Sequence, residues 1–237
     1  KARHFIKNVI FQSGRFSSFE TTDRASEKAE RLAGIAGVTV KELKTISLEE
    51  LLDAQSTLAK KEAIFASTNI PLLPVIDGDT ISDHVHDDVF DGAKGKSIIL
   101  GSTHDEMHAF IAGNPEIENA SQKQIKDVFK RELGDNWEDI YKECNKSAPG
   151  ATAMEMLSKG LNIANFEGQT ATLAANFVEK GIDTWLYRFD WKSLHGQFGA
   201  CHCIELPFIF DTFKSWSPPM INGLNLNEGQ IFSKILQ

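Results

Sequence analysis

The sequence predicts an α/β fold with a mostly parallel sheet, because short apolar runs alternate with amphipathic segments along its 237 residues. Two runs, residues 9–11 (Val-Ile-Phe) and 98–100 (Ile-Ile-Leu), contain no polar residue, as is typical of strands buried on both faces. A third run, residues 185–189, combines aromatic and aliphatic side chains. We expect the first two to be central strands, with the functional site beyond their carboxyl ends.

Helices are expected where capping residues precede amphipathic segments. Ser47 and Glu50 form a capping box, in which the hydroxyl and the carboxylate each bind an otherwise unpaired amide, so a helix should begin there and continue through Gln55. Four further segments have helical patterns: residues 23–33, 121–133, 153–159 and 170–180. A glycine follows each segment at a position suited to a left-handed C-terminal cap: Gly34, Gly134, Gly160 and Gly181.

Composition and charge exclude several classes of protein. With 41% hydrophobic and 24% charged residues, the chain has the usage of an ordinary globular domain with one sizeable core. Its net charge of −8 argues against a nucleic-acid partner, and no run approaches the roughly 18 apolar residues of a membrane span. Of three cysteines, Cys201 and Cys203 are too close in sequence for an easy mutual disulfide, which predicts reduced thiols and a cytoplasmic protein. Secretion stays open, because residue 1 need not be the native start.

Five motifs occur in an order that suggests one family. They are Phe-Ile-Lys-Asn-Val-Ile-Phe-Gln-Ser-Gly at residues 5–14, Pro-Val-Ile-Asp-Gly at 74–78, Gly-Ser-Thr-His-Asp-Glu-Met at 101–107, Trp-Leu-Tyr-Arg-Phe-Asp at 185–190 and Gly-Ala-Cys-His-Cys-Ile-Glu-Leu-Pro-Phe at 199–208. In content and order they resemble landmarks of the type B carboxylesterases, the cholinesterase-like branch of the α/β-hydrolases. The resemblance spans most of the chain and implies an α/β-hydrolase fold that needs no cofactor and no metal.

The resemblance implies that the chain supplies two members of a Ser-His-Glu triad. Glu106, just after a strand, would be the acid, and His202, on a loop, would be the base that removes the serine proton. From the residues alone, the alternatives are a core histidine between two thiols and a solvated acid at a helix start. The family's serine lies on a Gly-x-Ser-x-Gly elbow before the first motif, and the sequence contains no such pentapeptide.

The missing elbow decides how the domain is interpreted. Residues 1–237 are expected to be the C-terminal portion of the α/β-hydrolase domain, without the N-terminal part that carries the nucleophile elbow. Residues 114–177 have helical patterns and no strand pattern, and the resemblance implies that they are a helical insertion that forms one wall of the substrate gorge.

Supporting roles also follow from the resemblance. Ser13 and Glu205 match polar residues of a buried network behind the triad, and Ala109 and Phe110 fall where the family lines its substrate pocket, with Phe110 the better candidate for a substrate contact. The alternatives are a strand-end hydroxyl for Ser13, a surface acid for Glu205 and plain helix core for Phe110.

The sequence departs from the family pattern at two positions next to the triad. Met107 stands where glycine usually follows the acid, and Cys203 stands where a small residue, often glycine, usually follows the histidine. Neither change removes a functional group, but both place a larger side chain beside the expected pocket.

Other possible sites are weaker. Residues 83–88 contain two histidines among aspartates, and residues 201–203 read Cys-His-Cys, but neither offers a well-spaced tetrahedral ligand set. Residues 95–97 end like a phosphate-binding loop, yet Phe90 occupies the position of that motif's first glycine and a strand is expected to follow. We expect a solvated loop, a histidine loop and a turn, respectively.

The predicted function is hydrolysis of a small-molecule carboxylic ester through an acyl-enzyme, with the N-terminal part of the same fold as partner. Because the serine and the oxyanion-binding amides would lie outside this sequence, the chain alone is expected to be inactive. Two alternatives stay open: a non-catalytic cholinesterase-like binding scaffold, and a structural subunit that complements a separate N-terminal chain. Retention of both Glu106 and His202 argues against the scaffold.

Overall fold

A computed structural model describes residues 3–15, 18–67, 70, 72–216 and 218–236, so Lys1 and Gln237, the limits of the predicted domain, lie outside the described residues. The strands are β1 (Asn8–Gln12), β2 (Glu20–Thr21), β3 (Val75–Ile76), β4 (Ser97–Thr103) and β5 (Asp183–Phe189). The α-helices are α1 (Thr22–Ala36), α2 (Leu48–Lys61), α3 (Val85–Ala93), α4 (His108–Ile111), α5 (Pro115–Glu118), α6 (Gln122–Leu133), α7 (Trp137–Ser147), α8 (Ala153–Asn162), α9 (Gly168–Glu179), α10 (Leu206–Phe210) and α11 (Leu226–Leu236).

The chain divides into two compact units, one made of Lys1–Phe16 with Ala93–Gln237 and the other of Ser17–Gly92. The first unit contains the parallel sheet β1–β4–β5, the helices from α4 onward and every predicted site residue. Within the described residues, no helix is both long enough and apolar enough to cross a bilayer. The limits predicted for the domain and for its insertion stay predictions.

The three apolar runs form the expected parallel sheet. β4 is paired on both sides, and Ile98 and Leu100, on one of its faces, are 3% and 0% exposed. β1 pairs with β4 alone in the described sheet, and Ile10 is 63% exposed. The expectation that residues 9–11 form a central strand is therefore wrong for this sheet.

One face of this sheet carries a row of exposed apolar side chains. Ile10, Ile99 and Trp185 are in register across β1, β4 and β5, so their side chains share a face. They are 63%, 38% and 55% exposed. Parallel sheets normally have both faces covered. We call these three residues the apolar stripe.

Helices follow one another between β4 and β5. Helices α6 and α8 pack together, and a Cβ at Gly160 would lie 2.5 Å from the ring of Phe129. The predicted cap at Gly160 is therefore wrong, since α8 continues through this glycine to let Phe129 approach. Gly181 follows α9 with φ of +71°, as predicted, whereas Gly134 follows α6 with φ of +55° and ψ of −135°, which is not the predicted left-handed helical conformation. Between α8 and α9 the chain forms a π-helical segment, Ile163–Glu167.

The second unit contains the predicted capping box. Ser47 Oγ accepts the backbone N–H of Glu50 at 3.2 Å, and the Glu50 carboxylate accepts the backbone N–H of Ser47 at 2.9 Å. Helix α2 begins at the next residue, Leu48, as the sequence predicts.

Helix α1 ends later than predicted. It passes Gly34 and ends at Gly37, which has φ of +71° and donates to the carbonyl of Ala33. The cap predicted at Gly34 is wrong because the extra turn places Ile35 and Ala36 against the small core between α1 and α2.

Candidate active site

The acid of the predicted triad lies at the carboxyl end of the central strand. β4 ends at Thr103, and the next turn brings Glu106 inward, where it is 0% exposed. The backbone N–H of His104 donates to the carbonyl of Phe189 at 3.0 Å, which ties this turn to the end of β5. A carboxylate buried so completely is costly unless hydrogen bonds replace its water.

Those hydrogen bonds are present on both oxygens of Glu106. Oε1 accepts from the Ser13 hydroxyl at 2.5 Å and from the backbone N–H of Thr103 at 2.6 Å, and Oε2 lies 2.5 Å from Nδ1 of His202. Ser13 directly follows β1, and its own N–H donates to the carbonyl of Gly101 at 2.8 Å. The structure therefore brings together three predicted residues that come from distant parts of the sequence, with Glu106 lying 93 residues after Ser13 and 96 before His202.

His202 lies on the loop between β5 and α10, with its side chain 28% exposed. Because Nδ1 faces Glu106, Nε2 is the ring nitrogen that is left to act on a nucleophile. Burial alone would lower the pKa of His202, but the side chains of Cys203 and Glu106, together with the negative charge of Glu106, raise it to about 10. These contacts therefore favour the protonated form of the imidazole.

Two phenylalanine rings border this imidazole. The centroids of Phe110 and Phe166 lie 5.3 Å and 5.4 Å from that of His202. Phe110 is expected near the site and is 49% exposed, which is incompatible with plain helix core. Phe166 is 3% exposed and is not predicted from the sequence. It lies on the π-helical segment. The sequence marks this segment only by the glycine that follows it, Gly168, where a Cβ would lie 2.5 Å from the Ile163 carbonyl oxygen.

The other two predicted residues have weaker connections to the triad. Ala109 is exposed, and its backbone N–H donates to the Glu106 carbonyl at 3.4 Å. Glu205 is 3% exposed, so it is not a surface acid, and burial and the charge of Glu106 raise its pKa. Its Oε2 has no hydrogen-bond partner among the described residues. The structure thus brings Glu205 near the charge of Glu106 without a described hydrogen bond between them.

Two polar residues around the site are not predicted from the sequence. The Arg15 guanidinium donates to Oδ1 of Asn165 at 2.6 Å, which links the segment after β1 to the residue before Phe166. Tyr187 of β5 packs on Gly101, where a Cβ would lie 2.2 Å from its ring. Burial raises the pKa of Tyr187 to about 12, and the charges of two nearby carboxylates add to this effect.

The two departures from the family pattern have different surroundings. Met107 is 0% exposed, so its side chain belongs to the core behind the turn. Cys203 has φ of +66°, a backbone conformation that favours glycine. This explains why a glycine suits the position after the histidine, and why a cysteine there is strained.

A cavity of about 1100 Å³ lies beside the loop and not at the imidazole. Its wall includes Asp105, His108 and Gly199, whereas Glu106 and His202 are not part of its lining. In the part of the chain that is described, no three His, Cys, Asp or Glu side chains are arranged to hold a metal ion.

Comparison with known proteins identifies the family of this chain. The sequence model of the carboxylesterase family matches residues 1–234. The chain belongs to the carboxylesterase family. It is 26% identical over 234 residues to phenmedipham hydrolase of Pseudarthrobacter oxydans, which covers 94% of the chain and 45% of that relative.

Solved structures agree on the fold. Geobacillus stearothermophilus carboxylesterase EST55 matches with a TM-score of 0.78 at 24% identity, over 98% of this chain and 47% of that one. A PNB esterase matches with a TM-score of 0.74 at 21% identity, over 100% and 47%. The family resemblance and the α/β-hydrolase fold are thus confirmed, and the chain spans about half the length of these relatives.

Proposed function

We propose that this chain is the glutamate- and histidine-bearing part of a serine carboxylesterase. The observation that carries the proposal is the contact between His202 Nδ1 and Glu106 Oε2 at 2.5 Å, made across 96 residues of sequence. Ser13 and Thr103 bind the other oxygen of the acid, so the carboxylate is fixed in position before any substrate arrives. Such a pair is what a serine nucleophile requires to lose its proton.

In the proposed reaction, the serine lies outside this chain. Nε2 of His202 accepts the serine proton as the serine oxygen attacks the ester carbonyl, and Glu106 stabilises the imidazolium. The imidazolium then gives the proton to the leaving alcohol, and an acyl-enzyme remains. Water hydrolyses the acyl-enzyme with the same base. Phe110 and Phe166, which border the imidazole, are the proposed apolar contacts of the ester.

Three observations support a serine on another part of the protein. The sequence contains no Gly-x-Ser-x-Gly pentapeptide. The chain spans only 45% of phenmedipham hydrolase and 47% of EST55. The apolar stripe leaves one face of a parallel sheet in contact with solvent, which is unusual. We therefore propose that the nucleophile-bearing part of the same fold covers this stripe and supplies the oxyanion-binding amides.

A second candidate function is a non-catalytic scaffold with the same fold. It is favoured by the direction of the pKa of His202, which Cys203 and Glu106 raise to about 10, because a protonated imidazole is not a base. A cytoplasmic location and the lack of nucleic-acid or membrane partners remain predictions from composition.

Labelling with a fluorophosphonate probe tests the proposal, because the probe reacts only with an activated serine. The whole protein, isolated from its source, should be labelled on a serine outside residues 1–237, and His202→Ala should abolish the labelling. His195→Ala is the matched control, since His195 is an exposed histidine of the same loop. This chain alone should not be labelled. Labelling that survives His202→Ala contradicts the proposed base, and no labelling of the whole protein favours the scaffold.

A separate turnover assay addresses the substrate. Phenmedipham and a generic aryl ester are suitable first substrates, the former because a relative is named for hydrolysing it. Turnover of either by the labelled protein, with loss in the His202→Ala variant, is the expected result.

A further inference from the structure

Asp105, the residue before Glu106, contacts the loop that carries His202. Its backbone N–H donates to the carbonyl of Ala200, and the N–H of Ala200 donates to Oδ2 of Asp105, both at 2.9 Å. One residue therefore holds both backbone polar groups of Ala200. Two positions further on, the N–H of His202 donates to the carbonyl of Glu106 at 3.3 Å. The consecutive residues Asp105 and Glu106 thus bind Ala200 and His202 of the loop, respectively.

The fit around the Asp105 carboxylate is close. A Cβ at Gly199 would lie 2.5 Å from Oδ2 of Asp105 and 3.1 Å from Nδ1 of His108. Gly199 also has φ of +54°, a conformation that few other residues adopt. Glycine therefore lets the loop backbone come against the carboxylate, which brings the next amide, that of Ala200, within hydrogen-bond distance.

The other end of the contact is anchored in the sheet and the helices. Oδ1 of Asp105 lies 2.6 Å from Nδ1 of His104. The backbone of His104 donates to the carbonyl of Phe189 and accepts from the side chain of Asn162, each at 3.0 Å. Because β5 and α8 both bind the backbone of His104, the backbone next to Asp105 is fixed, and the Asp105 carboxylate reaches the loop from a fixed position.

Hydrogen bonds and nearby charged groups favour the ionised form of Asp105. Burial raises its pKa, but the hydrogen bonds with the Ala200 amide and with His104, together with smaller electrostatic contributions from His104 and His108, outweigh burial, so the pKa lies below its ordinary value. Lys192 Nζ is 3.9 Å from Oδ2, and the charge of Asp105 also helps to raise the pKa of Arg188. An ionised carboxylate is a stronger acceptor for a backbone N–H than a neutral group.

We infer that Asp105 is a positioning residue whose carboxylate, by binding Ala200, sets the place of the His202 ring over Glu106. The loop needs such a hold because residues 190–205 contain no helix or strand, and Cys203 sits at a positive φ. Catalytic significance for Asp105 rests on the proposed function, but the position of the His202 ring can be measured without it.

The test compares three variants of this chain: Asp105→Ala, Asp105→Asn and, as control, Asp190→Ala. Asp190 is a nearby carboxylate whose side chain is 54% exposed and bound to Arg188. NMR follows the ring nitrogens of His202 against pH and the hydrogen exchange of the Ala200 amide. His202→Gln assigns the signal among the seven histidines.

Loss of the hydrogen bond between Asp105 and Ala200 should let the His202 ring move away from Glu106. Asp105→Ala should expose the Ala200 amide to exchange and lower the pKa of His202 by at least about one unit, a tenfold loss of proton affinity. Asp105→Asn, whose amide oxygen can accept the same N–H, should keep Ala200 protected and the titration close to that of the original chain. Asp190→Ala should change neither. Both Asp105 variants remove the charge, so a shift in Asp105→Ala that is absent from Asp105→Asn comes through the loop.

The link between the two readouts decides the matter even if Asp105→Ala does not fold. In any variant whose Ala200 amide loses its protection from hydrogen exchange, the pKa of His202 must fall. In any variant that keeps this protection, the pKa of His202 must stay unchanged. An Asn variant with an unprotected Ala200 and an unchanged titration overturns the inference, and so does one with a protected Ala200 and a shifted titration. A variant that only melts earlier, with both readouts intact, identifies a merely structural residue.

Failure of the inference is distinguishable from failure of the proposed function. The NMR experiment needs no nucleophile, so its outcome stands whether or not the whole protein is labelled by fluorophosphonate. If it is labelled, Asp105→Ala should slow labelling at least tenfold, with Asp105→Asn and Asp190→Ala near the original rate.

Discussion

Two serine–glutamate pairs of this chain have the same chemistry and opposite surroundings. In the second unit, Ser47 Oγ and Glu50 Oε2 lie 2.8 Å apart, three residues apart in sequence, and both are exposed. In the first unit, Ser13 Oγ and Glu106 Oε1 lie 2.5 Å apart, 93 residues apart in sequence, and both are buried. The exposed pair caps the start of a helix and does nothing further, whereas the buried pair also holds a histidine.

The difference shows how surroundings change the meaning of one contact. At Glu50, the Ser47 side chain and backbone lower the pKa of the carboxyl, but water is available to replace either partner. At Glu106, water is excluded, so each donor that is removed leaves a buried polar group unpaired. The buried pair should therefore be sensitive to substitution and to pH, and the exposed pair much less so.

The largest effect is expected from removal of the buried acid. Glu106→Ala leaves the Ser13 hydroxyl, the Thr103 amide and the His202 imidazolium without their acceptor, which should lower the free energy of unfolding at pH 7 by about 3–5 kcal/mol. Urea denaturation of this chain measures the change. Glu116→Ala, at an exposed acid of α5, is the control and should cost little. Equal losses in the two variants would contradict the contrast.

The next effect is a dependence of stability on pH. A histidine whose pKa is higher in the folded than in the unfolded chain stabilises most below pH 6.5, and this contribution is lost as pH rises toward about 10. The loss amounts to about 1.4 kcal/mol for each unit between the two pKa values. The 28% of the side chain that is exposed reduces it by solvent screening.

The measurement is urea denaturation of the chain and of His202→Gln between pH 6 and 10. Glu205, whose raised pKa also removes stability as pH increases, is present in both proteins, so its contribution is common to them apart from the effect of the His202 charge on it. The difference in free energy of unfolding should shrink steadily with pH. A difference that is constant or grows would show that the His202–Glu106 contact does not raise the pKa.

A smaller effect is expected when only the hydroxyl of the buried pair is removed. Ser13→Ala leaves Oε1 of Glu106 with one donor, the Thr103 amide, so the free energy of unfolding should fall by about 1–2 kcal/mol. The positive φ of 51° at this position is equally unfavourable for serine and alanine, so the hydroxyl is isolated in the comparison. A loss no greater than that of Ser47→Ala, the corresponding variant of the exposed pair, would remove the distinction between the two regions.

The smallest effect is expected at the exposed pair. Ser47→Ala removes a helix N-cap and should lower the free energy of unfolding by about 1 kcal/mol or less, because water replaces the lost acceptor. Ser47→Asp, which restores an N-cap acceptor, should recover most of this loss. The loss should be the same at pH 6 and pH 9, in contrast to that of the His202 variant.

The sequence by itself determined the features that depend on neighbours along the chain. The capping box at Ser47 needs two residue types three positions apart, and the runs at residues 9–11 and 98–100 need only to be apolar and uninterrupted. Helix ends are less well determined: the pattern predicts caps at Gly34 and Gly160 that the chain does not use, because packing of Ile35 in one case and Phe129 in the other extends the helix.

The family motifs predicted that Glu106 and His202 pair, with Ser13 and Phe110 beside them, and the four residues do lie together. No motif indicates Phe166, since the π-helical turn that presents it arises where the Ile163 carbonyl passes a glycine. Nor does any motif indicate that Asp105 binds Ala200, because that bond joins segments 95 residues apart.

Only the tertiary structure decided which donors reach the Glu106 carboxylate and how far water is excluded from it. Local patterns specify a bond when both partners lie within one turn of helix, as at Ser47 and Glu50. Where the partners come from different strands and loops, as at Ser13, Glu106 and His202, the distance and the burial are set by how the sheet brings their ends together. The contact with Glu106 then raises the pKa of the imidazole against the effect of burial, and that contact is a property of the fold and not of the sequence motif.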